Sequence, residues 1–276
     1  MAYAFNCTND SALYNTIFTN YKIINKSSFH IDSTFIGNWA DFDIGAFGDD
    51  YIGCDVSRGA MYAYNGDLID GPSGNGELIY GANPPAQAVV FLRGPFANAD
   101  GIDNPANSTP SGSNYGDGIV DKERLGRSNF VYYDNNFNPI NGNPTGAGDY
   151  YQFMTSTWRN GQPVTYGGAG TAVGIPSKYV YPGNSDPLGF GTGAVQPSWD
   201  ELFSANLPGD RRGLGSVGPF TMQPGSTHTL DFAYVYGRGT SGNNLINVAV
   251  MQKRIDSVKN KFNAIEEGYY SRVWLW

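Results

Sequence analysis

Glycine and proline are the residues that most constrain this chain. Together, 37 glycines and 16 prolines make up about 19% of 276 residues, against about 12% in ordinary proteins. Such a composition disfavours long helices and coiled coils, because both residue types weaken helix interiors. Hydrophobic residues (40%) and aromatic residues (14%) nevertheless supply enough apolar surface for a folded core. We therefore expect a folded, β-type chain with many turns.

Short apolar stretches with period-two alternation recur along the chain, separated by Gly, Pro, Asn and Asp. This pattern is typical of β-strands. The predicted strands include segments within residues 3–35, 60–64, 88–92, 130–133, 218–222 and 227–236. Asn65-Gly66 is a hairpin-turn signal after one of them. The fold class predicted from this pattern is mainly β, a β-sandwich-like single domain over residues 1–276 with long Gly/Asn/Asp-rich loops.

Two helices are predicted. Asp149 begins the first, in which apolar residues recur as far as Trp158 before Asn160-Gly161 ends it. The second is a C-terminal amphipathic α-helix at about 245–266, because apolar residues are spaced there by three or four positions. That stripe is formed by Val248, Met251, Ile255, Val258 and Phe262.

Charge and cysteine content restrict the partners and the compartment. The chain has 17 basic and 25 acidic residues and a net charge of −8, which disfavours a nucleic-acid partner. No apolar run approaches 18 residues, so we expect no membrane span. Cys7 and Cys54 permit one disulfide or two free thiols. The first residues lack signal-peptide features, which fits an intracellular protein or a mature chain with an added Met1. Composition favours the second, at an extracellular or cell-surface location.

Acidic residues form two clusters. Asp41, Asp43, Asp49, Asp50 and Asp55 lie within fifteen residues among small residues. Calcium takes six to eight oxygen ligands from flexible segments, so this cluster is a candidate calcium site. The second cluster is Asp100, Asp103, Asp117, Asp121 and Glu123. Its Asp117–Asp121 segment matches part of a calcium loop, but not a complete EF-hand. Alternatively, these carboxylates cap backbone N–H groups without a metal.

Residues suited to catalysis are few. His30 and His228 both lie in strand patterns without a nucleophile motif, and acidic neighbours make Cys54 a poor nucleophile. Acidic residues are numerous, but no pair stands out as glycosidase carboxylates. Arg211-Arg212 is expected to pair with acidic loops of the same domain. Five aromatic residues in polar loops could stack on sugars or form local core: Trp158, Trp199, Tyr166, Tyr179 and Tyr181.

Several segments carry a family resemblance. Residues 42–55, 62–67, 80–86, 114–121, 149–151, 158–161, 209–212 and 216–221 resemble a domain of large secreted proteins of Bacteroidota. Such proteins commonly leave the cell through the type IX, gliding-associated, secretion system. The resemblance covers roughly residues 40 to 262 and implies a secreted or surface location. It implies no particular activity, because such domains usually have none assigned.

The sequence therefore favours a non-enzymatic structural or adhesive module of a secreted or cell-surface protein, with calcium-stabilised loops. Its partner would be a glycan or a neighbouring surface protein. One alternative is a carbohydrate-active protein, either a glycan-binding module or a glycoside hydrolase with an Asp/Glu pair. Another is a subunit that self-associates into a filament or surface layer, which exposed apolar strips would support.

Overall fold

The structure is a computed structural model that describes residues 1–72, 74 and 76–266, without the side chain of Glu266. Its β-strands in chain order are β1 (Ala2–Ala4), β2 (Thr16–Ile24), β3 (Ile31–Asp41), β4 (Asp50–Asp55), β5 (Ala60–Asn65), β6 (Ile69–Asp70), β7 (Gly81–Ala82), β8 (Ala86–Arg93), β9 (Asn129–Asp134), β10 (Arg211–Met222) and β11 (Thr227–Gly237). Its α-helices are α1 (Ser11–Tyr14), α2 (Ala147–Met154) and α3 (Asn244–Glu266).

The strands form antiparallel sheets. The large sheet has the order β1-β2-β11-β8-β5-β4, the small sheet β3-β10-β9, and β6 pairs with β7. The prediction of a mainly β, sandwich-like fold with a C-terminal helix is confirmed. Asn65-Gly66 forms no hairpin, because β5 pairs with β4 and β8 and not with β6.

The large sheet is buried on both faces. On β8, Val89 and Phe91 face the small sheet and its loops, whereas Ala88, Val90 and Leu92 face α3. The side chains still alternate between faces, but both faces are apolar. This explains why residues 88–92 read as one continuous apolar run.

Helix α3 covers the outer face of the large sheet. Its stripe of Met251, Ile255, Val258 and Phe262 is buried, and Val248 packs beside it. Small residues on the sheet let the helix approach closely. A Cβ atom at Gly237 would lie 2.4 Å from the Cβ of Met251. Helix and sheet are thus in direct backbone contact at the end of β11.

Helix α2 is shorter than predicted. It begins at Ala147 and not at Asp149, and it ends at Met154, so the prediction that it extends to Trp158 is wrong. Ser156 has a φ of +53°, outside the right-handed helical region. Trp158 instead enters the core, where its Nε1–H donates to the carbonyl of Gly170 (2.7 Å).

A buried polar network connects the two sheets. The Oε2 atom of Glu201 accepts from the N–H of Ile52 in β4 (2.6 Å). Its Oε1 atom accepts from Asn206 Nδ2 (2.7 Å) and from Arg211 Nε in β10 (2.9 Å). Arg211 also pairs with Asp134 of β9 (2.5 Å). Glu201, fully buried, therefore holds the segment before β10 against both sheets.

Both cysteines are free thiols. Cys54 is buried, and its Sγ–H donates to the carbonyl of Val180 (3.3 Å). Burial raises the pKa of this thiol well above its ordinary value. Of the two possibilities that the sequence left open, the structure has the unbridged one. No helix in the described part of the chain combines the length and apolar character needed to cross a bilayer.

Gly237→Ala should destabilise the protein, because the added methyl group would collide with Met251 and push α3 away from the sheet. Overpacking of this kind typically costs about 1 to 3 kcal/mol. Gly148→Ala is the control, since a Cβ there meets nothing within 4 Å and lies in α2. Thermal unfolding of both variants checks this. Equal unfolding midpoints would show that α3 can shift without a loss of stability.

Glu201→Gln should also destabilise the protein. An amide has one acceptor oxygen, so its NH₂ group must face either the Ile52 N–H or the Asn206 and Arg211 donors. An unsatisfied buried donor costs about 1 to 3 kcal/mol. In the exposed control Asp117→Asn, one oxygen suffices for the single N–H of Ile119. Urea unfolding in EDTA compares the two. Equal stability would mean that the Glu201 network contributes nothing.

Candidate cation site

Three carboxylates converge where β3 ends and β10 begins. Asp41 is the last residue of β3, Asp43 follows two positions later, and Asp210 immediately precedes β10. One oxygen of each lies within 4.8 Å of the others, which is the one such group among the described residues. Oxygens bound to one calcium ion at 2.3–2.6 Å can be separated by about this distance. The site is therefore compact enough for a single cation.

Strand pairing brings these residues together. Arg212 in β10 lies opposite Asp41 in the β3–β10 register, so the residue before β10 lies beside the end of β3. Asp43 has a φ of +29°. Asp and Asn tolerate positive φ better than most residues. The chain thus turns at Asp43 while its carboxylate stays near Asp41.

Arg212 partly neutralises the cluster. Its Nη2 lies 3.0 Å from Asp41 Oδ2, and its Nη1 lies 3.0 Å from Asp210 Oδ1. Asp210 Oδ2 also accepts from Asn135 Nδ2 (2.8 Å). The carboxylate of Asp43 accepts no hydrogen bond from another described residue. Three carboxylates against one guanidinium leave an excess of negative charge, which is centred on Asp43.

Electrostatics agree with this excess. Asp43 is an exposed residue, yet partial desolvation of its carboxylate raises its pKa, and the neighbouring charges of Asp41 and Asp210 raise it further. Burial also raises the pKa of Asp41, although Arg212 opposes that shift. Both carboxylates are thus harder to ionise than ordinary aspartates. A divalent cation would remove that penalty.

The other members of the first predicted cluster lie apart from this group. Asp50 Oδ2 accepts from the N–H of Ile44 (2.7 Å), and Asp49 Oδ2 from that of Gly71 (3.1 Å). Asp55 pairs with Arg58 (2.8 Å). These three carboxylates hold turns and neighbouring segments in place. The structure brings together Asp41 and Asp43 of the five predicted residues.

The second predicted cluster lies in the long connection between β8 and β9, where its carboxylates accept from backbone N–H groups. Asp103 accepts from Gly116 (2.8 Å) and Gly118 (2.7 Å). The remaining bonds join Asp121 to Asp100 and Gly101, Glu123 to Asn104, Asp100 to Ile102, and Asp117 to Ile119. These bonds shape the loop. Calcium at these five residues stays a prediction.

Asp210 was not among the predicted ligands. The sequence did indicate that Arg211-Arg212 pairs with acidic residues, and this is confirmed by the ion pairs of both arginines. An aspartate directly before a basic pair at a strand start was the available signal. Only the β3–β10 register shows that this aspartate lies next to Asp41.

The residues considered for sugar stacking are mostly core. Trp158, Trp199, Tyr179 and Tyr181 are all less than 5% exposed, and only Tyr166 is partly accessible. Those four side chains cannot stack on a sugar ring in this structure. They pack instead among the loops that cover the small sheet.

The histidines have structural surroundings. His228 is buried between Phe96 and Phe220, and its Nδ1 accepts from the N–H of Phe96 (3.2 Å). Burial lowers its pKa. His30 is exposed and lies 3.1 Å from Asp32. Among the described residues, no hydrogen bond joins either histidine to a serine, threonine or cysteine side chain.

No protein-family model, curated protein or solved structure matches this chain.

Asp43→Asn should stabilise the metal-free protein at neutral pH, because it removes an unpaired carboxylate and asparagine tolerates the positive φ. The benefit should shrink as the pH falls. Since folding raises the pKa of Asp43, the folded state binds more protons than the unfolded state between 3.8 and the raised value. The wild type therefore gains stability as the pH falls through that window.

Urea unfolding in EDTA at several pH values measures this difference between wild type and variant. We expect the two free energies of unfolding to converge well below pH 3.8. A variant that is less stable than the wild type at pH 7 in EDTA would contradict the proposed charge excess.

Proposed function

We propose that this chain is a non-enzymatic structural or adhesive module of a secreted or cell-surface protein, in which Asp41, Asp43 and Asp210 hold a calcium ion. The observation that carries the proposal is the convergence of these carboxylates around an incompletely neutralised Asp43. Calcium accepts carboxylate, carbonyl and water oxygens in flexible geometries. Three protein carboxylates with water completing the shell meet that requirement.

The ion would fasten the end of β3 to the start of β10. Both positions flank irregular segments, one after Asp41 and one between Trp199 and Asp210. A ligand that binds only the folded state stabilises it by mass action. Calcium bound here would therefore stabilise the two loops that meet where β3 ends and β10 begins. This is a structural role, which needs no reacting group.

The resemblance to secreted Bacteroidota domains supports the location. Calcium is abundant outside cells, where modules bind it with Kd values of about 10⁻⁴ to 10⁻³ M. A site of moderate affinity with one competing arginine is suited to that range. Export through the type IX system belongs to the same proposal.

The described residues also support a non-enzymatic role. The buried acid Glu201 is engaged by three donors, His228 is packed between aromatic rings, and the thiol of Cys54 is buried. Each of the three already has a structural role. If the purified protein hydrolysed members of a polysaccharide or peptide panel, this part of the proposal would fail.

Thermal unfolding in EDTA and in millimolar calcium tests the ion. At 10 mM calcium, binding stabilises the folded state by about 2.7 kcal/mol for a Kd of about 10⁻⁴ M and by about 1.4 kcal/mol for a Kd of about 10⁻³ M, so the wild-type midpoint should rise by a few degrees. Asp43→Asn should lose most of that rise. The exposed Asp32→Asn removes the same charge elsewhere and should keep it.

The two conditions should reverse the order of stability. In EDTA, Asp43→Asn should be at least as stable as the wild type, and in calcium it should be less stable. A calcium-dependent rise that survives in Asp43→Asn but is lost in Asp117→Asn would place the ion in the second acidic cluster. No rise in the wild type would contradict the calcium site altogether.

A further inference from the structure

A cavity of about 370 Å³ lies between two loops and the last turns of α3. One wall is formed by residues 106–107 and 109–113, and another by Lys259 and Asn263. The remaining wall is formed by Ser185, Pro187, Leu188 and Phe190. Its floor includes the buried side chains of Val56 and Leu92. Pockets for small molecules commonly begin at about 300 Å³. The volume therefore suits a single small ligand.

The lining of this cavity is unusual for a chain with a net charge of −8. Of the described residues that line it, Lys259 is the one charged group, and none is an aspartate or glutamate. Hydroxyl and amide side chains, among them Thr109 and Asn263, make up much of the remaining wall. Such a surface offers donors and acceptors to a ligand that has many hydroxyl groups.

Lys259 is incompletely paired. Its Nζ donates to the carbonyl of Arg58 (3.0 Å), and no carboxylate of the described residues lies within the 4.0 Å of an ion pair. The nearby acids, Asp55 and Asp256, are both paired with the Arg58 guanidinium. An ammonium group has three N–H donors. Two of them have no hydrogen-bond partner among the described residues, and Lys259 lines the cavity.

Burial lowers the pKa of Lys259, so the ammonium pays a desolvation cost there. A bound carboxylate would offset that cost. Charge-assisted hydrogen bonds are about twice as strong as neutral ones. The Lys259 ammonium is therefore the main recognition element of this cavity, and it favours a ligand with an anionic group.

Part of the cavity lining is apolar. Leu188 and Phe190 line the cavity beside the polar wall, and Leu188 is half exposed. Sugars have apolar C–H faces as well as hydroxyl edges. A ligand with one carboxylate, several hydroxyls and an apolar face matches all three parts of the lining.

We propose that this cavity binds a carboxylated monosaccharide unit of the uronic acid class, with its carboxylate on Lys259 and its hydroxyls on the Thr109 and Asn263 side chains. Nothing in this assignment depends on the calcium site. The two proposals use different residues and can fail separately.

NMR titration with D-glucuronate measures the binding, with D-glucose and inorganic phosphate as comparison ligands. A Kd of about 1 mM, corresponding to about −4 kcal/mol, is expected for one sugar unit. Glucose should bind at least tenfold more weakly, because it has no carboxylate. Equal binding of glucose would overturn the proposal, as would equal or tighter binding of phosphate or no binding of glucuronate.

Variants locate the site. Lys259→Gln should weaken glucuronate binding about tenfold or more, since a charge-assisted bond is lost. Lys253→Gln removes the same charge from an exposed position of α3 and should leave the Kd unchanged. A folded Lys259→Gln variant that binds like the wild type would overturn the proposal.

Thr109→Val provides a second test that does not touch α3. The Thr109 hydroxyl has no hydrogen-bond partner on another described residue, so the isosteric change should preserve stability. We expect a severalfold loss of glucuronate affinity. If Lys259→Gln fails to fold, an unchanged Kd in Thr109→Val is the result that contradicts the site.

Discussion

The ion pair between Arg211 and Glu201 joins the interior of the sandwich to its acidic surface. Arg211 faces inward to Glu201 and Asp134, whereas the next residue, Arg212, faces Asp41 and Asp210. Successive side chains of a strand point to opposite faces. The buried pair therefore fixes the position of β10, and through it the distance between Asp210 and the end of β3. The geometry of the candidate cation site follows from a contact in the core.

Elements with strong local periodicity could be predicted from the sequence. The stripe from Val248 to Phe262 and the apolar run at 88–92 are examples, because burial there repeats with the period of the helix or strand. Sheet assignment could not be predicted in the same way. Strands β10 and β11 are connected by the turn at 223–226, yet they belong to different sheets. Strand β10 pairs with β3, and β11 pairs with β8, and both partners are distant in sequence.

Turn and helix ends show a similar limit. Asn65-Gly66 has the composition of a hairpin turn, but the hairpin between β4 and β5 turns at residues 56–59, where Gly59 has a φ of +66°. Tertiary pairing decides which of two turn-forming segments joins adjacent strands. Trp158 likewise fits a helical spacing with Met154. Its burial among loop residues outweighs one further helical turn.

Aspartates in the two acidic clusters have similar neighbours but different partners. In the β8–β9 connection, backbone N–H groups of the loop donate to each of the five carboxylates, so the loop itself offsets its negative charges. At the β3–β10 edge, Arg212 supplies one positive charge for three carboxylates. Composition alone cannot distinguish these cases, because the same Gly-, Asn- and Asp-rich segments form Asx turns and cation sites.

The distinguishing quantity is the charge that remains after all local donors are counted. The carboxylates of Asp103 and Asp121 each accept hydrogen bonds from two backbone N–H groups, which offset part of their negative charge. For Asp43, partial desolvation and two acidic neighbours raise the pKa, and no other described residue donates to its carboxylate. Arg212 is paired with Asp41 and Asp210 and forms no ion pair with Asp43. A divalent cation can neutralise all three at once, which is why the proposed ion is located at these strand ends.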